Sequence, residues 1–344
     1  LCIKNVGVCD YRLFTLLGAT TARGKEDKIG QFGSGAKHGA LALMRVGITP
    51  IVMLGKDELT YYVENVVIGE NKVRQLGVSF QGVKALQSIT LEFGALDWKD
   101  PHMALREYIS NAIDAGDWEV TLQDECIGVE GETRVYVPLN TDIVEYYNNL
   151  SRYFLHAVGL EGSVEIANLT GEKCRVYRKG VLVGTLHHTS AYHYNLPDVP
   201  LDESRNIKPY EAAWNIAKHV LHHMDSSKLC RTLVHSDENC FERNISLSFQ
   251  EVTPERRDAL RAAWSKTHVL GCKSFTKHLE HLAESRNLTI VHVGASALAL
   301  YKQAIPSLET ITKEVVNGII TMPASPDLQE NWNTVWSFLK MKGL

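Results

Sequence analysis

Four glycines in ten residues, Gly30, Gly33, Gly35 and Gly39, run straight into a segment whose apolar residues, Ala40, Leu41, Leu43 and Met44, recur at helical spacing. This junction constrains the chain more than any other feature. Glycine lets a backbone approach a bulky ligand, and a helix N-terminus offers unpaired N–H groups and the positive end of a dipole. Ser34 and Lys37 add a hydroxyl and a point charge. The stretch has the make-up of a phosphate cradle. It lacks the GK[ST] ending of a P-loop, and no strand leads tightly into it as a dinucleotide-binding unit requires. Taken alone, it also fits an ordinary glycine loop before a core helix.

A second motif runs Leu105-Arg106-Glu107-Tyr108-Ile109-Ser110-Asn111-Ala112-Ile113-Asp114-Ala115. Pro101, just after Asp100, suits the first helical turn, so a helix is predicted from about residue 101 to 114. Glu107 and Asn111 then share one face, with Leu105, Ile109 and Ala112 toward another. A carboxylate one turn from an amide suits a water-activating base beside a ligand for a hard cation such as Mg²⁺. An amphipathic helix with a solvated polar stripe has the same pattern.

Together the two motifs resemble the GHKL, or Bergerat-fold, ATPases, above all the ATPase domain of the ninety-kilodalton heat-shock chaperones. Residues 16–25 followed by Ile29-Gly30-Gln31-Phe32-Gly33 look like that family's ATP lid and glycine motif, and residues 105–115 look like its N box. The resemblance implies Glu107 as catalytic base, Asn111 as Mg²⁺ ligand and Asp114 as a supporting polar residue. Gly30, Gly33, Ser34, Gly35 and Lys37 would hold the phosphates. Here the N box follows the glycine motif by about 70 residues instead of preceding it, which implies a circular permutation. The family's adenine-reading DxGxG is absent. Its counterpart is Asn5-Val6-Gly7-Val8-Cys9, with Asn5 where the Asp stands and Gly7 following, and Asp10 as fallback. An amide oxygen still accepts from an adenine amine, without charge assistance. The implied cofactors are ATP and Mg²⁺. In this superfamily ATP drives lid closure, dimerisation or a domain motion, so a homodimer and a protein client are the implied partners.

The fold class predicted is α+β: a permuted Bergerat sandwich, a mixed sheet with helices on one face, over residues 1–224, and a smaller α/β or helical domain over 225–344. Strands are expected at about 50–54, 59–68, 73–80, 88–93, 119–123, 134–138, 164–167 and 175–183, and a loop at 194–208. A length of 344 residues suits about two domains. A net charge of −4 gives no general nucleic-acid coat, and no apolar run approaches the ~18 residues of a membrane span. The first ten residues predict no signal peptide. Seven scattered cysteines without a CxxC pair predict a reducing, cytoplasmic setting.

Lys179 and Arg205 are candidates for a basic residue reaching a terminal phosphate, as is usual in GHKL enzymes, although both also fit solvated turns. His219, His222 and His223 share a predicted helix but lack an HExxH pattern or a cysteine at ligand spacing. Two further readings stay open. One is a non-catalytic nucleotide-binding or interaction module. The other is a histidine kinase, for which no phospho-acceptor helix pair precedes the site.

Overall fold

A computed structural model describes residues 1–16, 28–29, 35–94, 98, 100–202, 204–246, 252–272, 279–320 and 337. Gly30, Gly33, Ser34 and residues 17–27 of the expected lid lie outside the described residues. The chain forms two compact units: residues 1–168, 173–187 and 192–215, and residues 169–172, 188–191 and 216–344.

The first unit is built on a seven-stranded sheet. Its strands are β1 (Cys2–Val6), β2 (Ile51–Leu54), β3 (Asp57–Ile68), β4 (Asn71–Phe80), β5 (Val83–Thr90), β6 (Trp118–Thr121) and β7 (Glu132–Tyr136), in the order β5-β4-β3-β2-β7-β1-β6. All neighbours pair antiparallel. This corrects the expected mixed sheet. Strands β2 to β5 are joined by two-residue turns, which admit only antiparallel neighbours, whereas a parallel pair needs a long crossover. The expected strand at 88–93 falls earlier, at β5, because Gln81 and Gly82 (φ 49° and 77°) close a tight hairpin directly after β4. Gly77 in β4 faces Tyr62 across the ladder, and its missing side chain leaves room for that ring.

Alternation puts Ile3, Val52, Leu59 and Val135 on one face of the sheet, where they meet α2 (Gly35–Arg45) and α3 (Pro101–Ala115) in one buried cluster; α1 (Arg12–Thr15) precedes these helices. Burying a side chain of this size contributes about 1.5–3 kcal/mol. α3 starts where the sequence places it: the Asp100 carboxylate accepts from the His102 N–H at 2.8 Å, Pro101 fills the first turn, and Gly116 at φ 91° ends it. The two helices lie antiparallel, Gly35 against Glu107 and Gly39 against Ala104. The Tyr108 hydroxyl, buried between them, donates to Ala36 O at 3.1 Å and fixes the first turn of α2.

A four-stranded sheet follows, in the order β10-β9-β11-β8, from β8 (Glu165–Ala167), β9 (Lys173–Arg178), β10 (Val181–Thr189) and β11 (Tyr192–Asn195). The single strand expected at 175–183 is a hairpin broken at Lys179 and Gly180, both left-handed (φ 50° and 76°), and β11 occupies the start of the expected loop.

In the second unit β12 (His268–Gly271) and β13 (Thr289–His292) pair in parallel. Helices at Ser226–His235, Pro254–Ala263 and Leu308–Ile320 belong to the same unit, making it α/β. Glu242 is fully buried there, accepting from Ser190 Oγ at 2.6 Å and Ala191 N at 3.1 Å.

Among the described residues no helix is long and apolar enough to cross a membrane.

Candidate functional site

The polar face of α3 carries Glu107, Asn111 and Asp114 at helical spacing, spanning about 10 Å at 1.5 Å per residue. Residues on both sides of 30–34 meet it, one side by hydrogen bonds and the other by close approach. At one end the Ile29 N–H donates to Asp114 Oδ1 at 2.8 Å, and Lys28 Nζ donates to Asp114 O at 2.6 Å. At the other, Gly35 sits so close to Glu107 that a Cβ there would fall 1.8 Å from Oε2. Ile29 and Gly35 both lie against the stripe that contains Asn111. The two motifs, about 70 residues apart in sequence, meet in one place.

Glu107 is 6% exposed. Its Oε1 lies 3.4 Å from Nε of Arg205, itself buried. Burial pushes the Arg205 guanidinium below its usual pKa, and the Glu107 carboxylate offsets part of that. Arg205 is placed by a tight turn at φ 61°, in which its N–H donates to Asp202 O at 3.0 Å. Arg106 holds the same turn, through Nη2 to Ser204 O at 2.6 Å and Nη1 to Asn206 Oδ1 at 3.1 Å. Asn111, one helical turn beyond Glu107, is exposed. An accessible amide oxygen suits Mg²⁺, which keeps waters and takes one or two protein oxygens beside substrate phosphates. Among the described residues no group of three or more His, Cys, Asp or Glu is placed to hold a metal ion, the histidines at 219–223 included.

Lys37, in the first turn of α2, is 3% exposed, and burial lowers its pKa to about 8. The folded state then binds fewer protons than the unfolded one between about pH 8 and the ordinary lysine value of 10.5. The cost of burying the charged form is complete below pH 8 and fades as pH rises through that window. Denaturant unfolding of the parent and Lys37→Met across this range is the check. The parent should gain on the order of 2 kcal/mol relative to the variant between about pH 7 and pH 10. Parallel profiles would show that Lys37 is not held at a lowered pKa.

At the C-terminal end of α3, Ala115 and the segment after β1 bound a cleft of about 590 Å³, lined by Asn5, Gly7, Cys9, Asp10 and Leu13 among others. Asn5 is buried, and its Nδ2 donates to Val6 O at 2.9 Å. The register sets Asn5 beside Thr133. The Thr133 hydroxyl donates to Gly7 O at 2.8 Å and accepts from Cys9 N at 2.9 Å, fixing the loop under the cleft. Gly7 takes φ 98° there. The structure thus places Asn5 and Gly7 at one end of α3 and Glu107 and Gly35 along it.

Lys179 Nζ donates to Lys28 O at 2.7 Å, tying the β9–β10 turn to the residue before Ile29. Sequence reading missed Thr133, which lies on a distant strand with no motif around it. It also missed the role of Arg106 and Tyr108. Their only signal was adjacency to Glu107.

Comparison with known proteins finds no matching family model, no matching curated protein and no matching solved structure.

Proposed function

We propose that the first unit binds an adenine nucleotide with Mg²⁺ along the polar face of α3 and hydrolyses it slowly, in the manner of a permuted GHKL ATPase. The observation that carries this reading is that Ile29 hydrogen-bonds Asp114 and Gly35 lies against Glu107, so described residues of both motifs meet on one helical stripe. On this reading the base lies in the cleft beside Asn5 and the phosphates run toward Glu107. Glu107 takes the role of base, orienting and deprotonating a water. The glycine stretch and the N-terminus of α2 donate N–H groups to developing negative charge. Mg²⁺, when bound with the nucleotide, would take the Asn111 oxygen and shield phosphate charge. Asp114 acts as the anchor of the loop root. The output proposed is a conformational or dimerisation switch.

Titration calorimetry with ATP, ADP and a non-hydrolysable analogue, with and without Mg²⁺, beside a phosphate-release assay, tests this reading. Absence of binding at millimolar nucleotide would sink it. A second reading, a nucleotide-binding module without turnover, is favoured by the Arg205–Glu107 ion pair, which occupies the candidate base. A chain that binds ATP and releases no phosphate would establish it.

Base selection has its own test. The Asn5 Nδ2 is committed to Val6 O, which leaves Oδ1 as the acceptor for a base amine. ITP carries a carbonyl where ATP carries that amine. The parent should prefer ATP by about tenfold or more, and Asn5→Leu should erase the preference. Equal affinities in the parent would remove Asn5 from base reading.

A further inference from the structure

Strand β3 outruns its sheet. β2 starts at Ile51, just after Pro50, so its pairing with β3 stops at Thr60, while β3 and β4 stay paired as far as Ile68 and Asn71. Proline has no N–H with which to extend a ladder. Residues 63–68 and 71–74 therefore form a two-stranded ribbon beyond the sheet, reaching about 20 Å. The ribbon carries apolar side chains into water: Val63, Val67 and Ile68 are 40%, 65% and 62% exposed. Two strands alone are marginal in water, and a third makes them stable.

The two edges of the ribbon differ. The outer edge of β4 is closed at Arg74, where Leu91 N donates to Arg74 O at 2.8 Å and Glu92 pairs with the guanidinium at 2.9 Å. Along β3, residues 63–68 have no strand on the side away from β4 among the described residues. They hold one charge, Glu64, and no Lys or Pro of the kind that guards an edge. The outer strands of the sheet are guarded. β5 falls out of register between Gln75 and Gly77 and carries Lys84, and β6 is four residues long and bears the Lys4–Glu119 ion pair.

We propose that the β3 edge pairs antiparallel with the same edge of a second copy of this chain, joining two sheets across a two-fold axis. An open edge that finds no other open edge on the molecule closes on itself and does not grow head to tail. Side-chain alternation permits two central registers, Asn65 on its own counterpart or Val66 on its own. The first sets Val63 against Val67, and the second sets Glu64 against Ile68. In both, Glu64 faces an aliphatic side chain and never its own counterpart, so no like charges stand directly opposite. The pairing uses no nucleotide and stands apart from the switch proposed above.

Sedimentation equilibrium of the full chain without nucleotide, from about 1 to 100 µM, is the test, with a Kd of about 10 µM expected for so small an interface. Val67→Lys changes a side chain that solvent already reaches. It should weaken the dimer by about tenfold or more and leave the melting of dilute protein unchanged. Lys84→Glu, on β5, should change neither. Asn65→Cys or Val66→Cys, whichever falls on the axis, should oxidise to a disulfide-linked dimer faster than the parent does. A parent that stays monomeric over the whole range leaves the edge to a foreign strand and overturns the pairing. A dimer that Val67→Lys does not weaken, and that neither cysteine cross-links, uses another surface and overturns it as well. So does a dimer seen only with ATP, which would belong to the switch.

Discussion

Glu107→Ala is expected to lower phosphate release by about 10²–10⁴-fold, the usual loss for a positioned general base, while ATP still binds. The carboxylate acts on water and not on the nucleotide, so binding and turnover separate at this residue. Alanine also leaves buried Arg205 without this carboxylate, which costs about 3 kcal/mol of stability by analogy with other broken buried pairs. Single-turnover phosphate release and thermal melting therefore need to be measured together. A variant that is folded and turns over at the parental rate would end the assignment of Glu107 as base and leave a binding module.

Gly35→Ala should be nearly as damaging to turnover, for a different reason. A Cβ at this position would lie 1.8 Å from Glu107 Oε2 and 2.7 Å from its Cδ. The carboxylate is the far end of a flexible side chain, so the variant relieves the overlap by swinging it aside instead of unfolding. The expectation is a stability loss of up to about 3 kcal/mol, as for Glu107→Ala, because the carboxylate leaves Arg205, and a turnover reduced by about 10²-fold, because a shift of about 1 Å in a reacting group has an effect of that size. Turnover within threefold of the parent would mean that the position of the carboxylate does not matter to the reaction.

The helices that build the site were legible in the sequence, and the sheet was legible only in part. The spacing of Ala40, Leu41, Leu43 and Met44, and the Asp100-Pro101 start, are local signals set by helical period and capping, and α2 and α3 form where those signals lie. The two-residue turns at 55–56 and 69–70 also show locally as glycines between β-branched runs. Sheet direction does not. Whether β1 pairs parallel or antiparallel with β7 is decided by contacts across more than a hundred residues, and nothing near Cys2 announces it. The break at Lys179-Gly180 was misread because Val176 to Val183 is β-prone on both sides of the turn. Of the site, Glu107 and Asn111 came from helical spacing, Gly35 from the glycine run, and Asp114 only from the family resemblance. The burial of Lys37 was hidden because α2 is covered on nearly every side, which its periodicity does not reveal.

The seam that holds β1 has a consequence for folding. Strands β2 to β5 zip through adjacent hairpins, each closing a loop of a few residues, whereas the pairing of Cys2 with Tyr136 closes one of roughly 130. Contacts at such separation form late and slowly. Asn5 lies on that same strand, against Thr133. The base side of the candidate cleft is thus completed only after the hairpins exist, and a ligand held at Asn5 stabilises a closure that spans more than a hundred residues. By mass action, the ligand's binding free energy becomes resistance to opening along β1 first, and hydrogen exchange at Ile3 and Val135 is where that protection should concentrate.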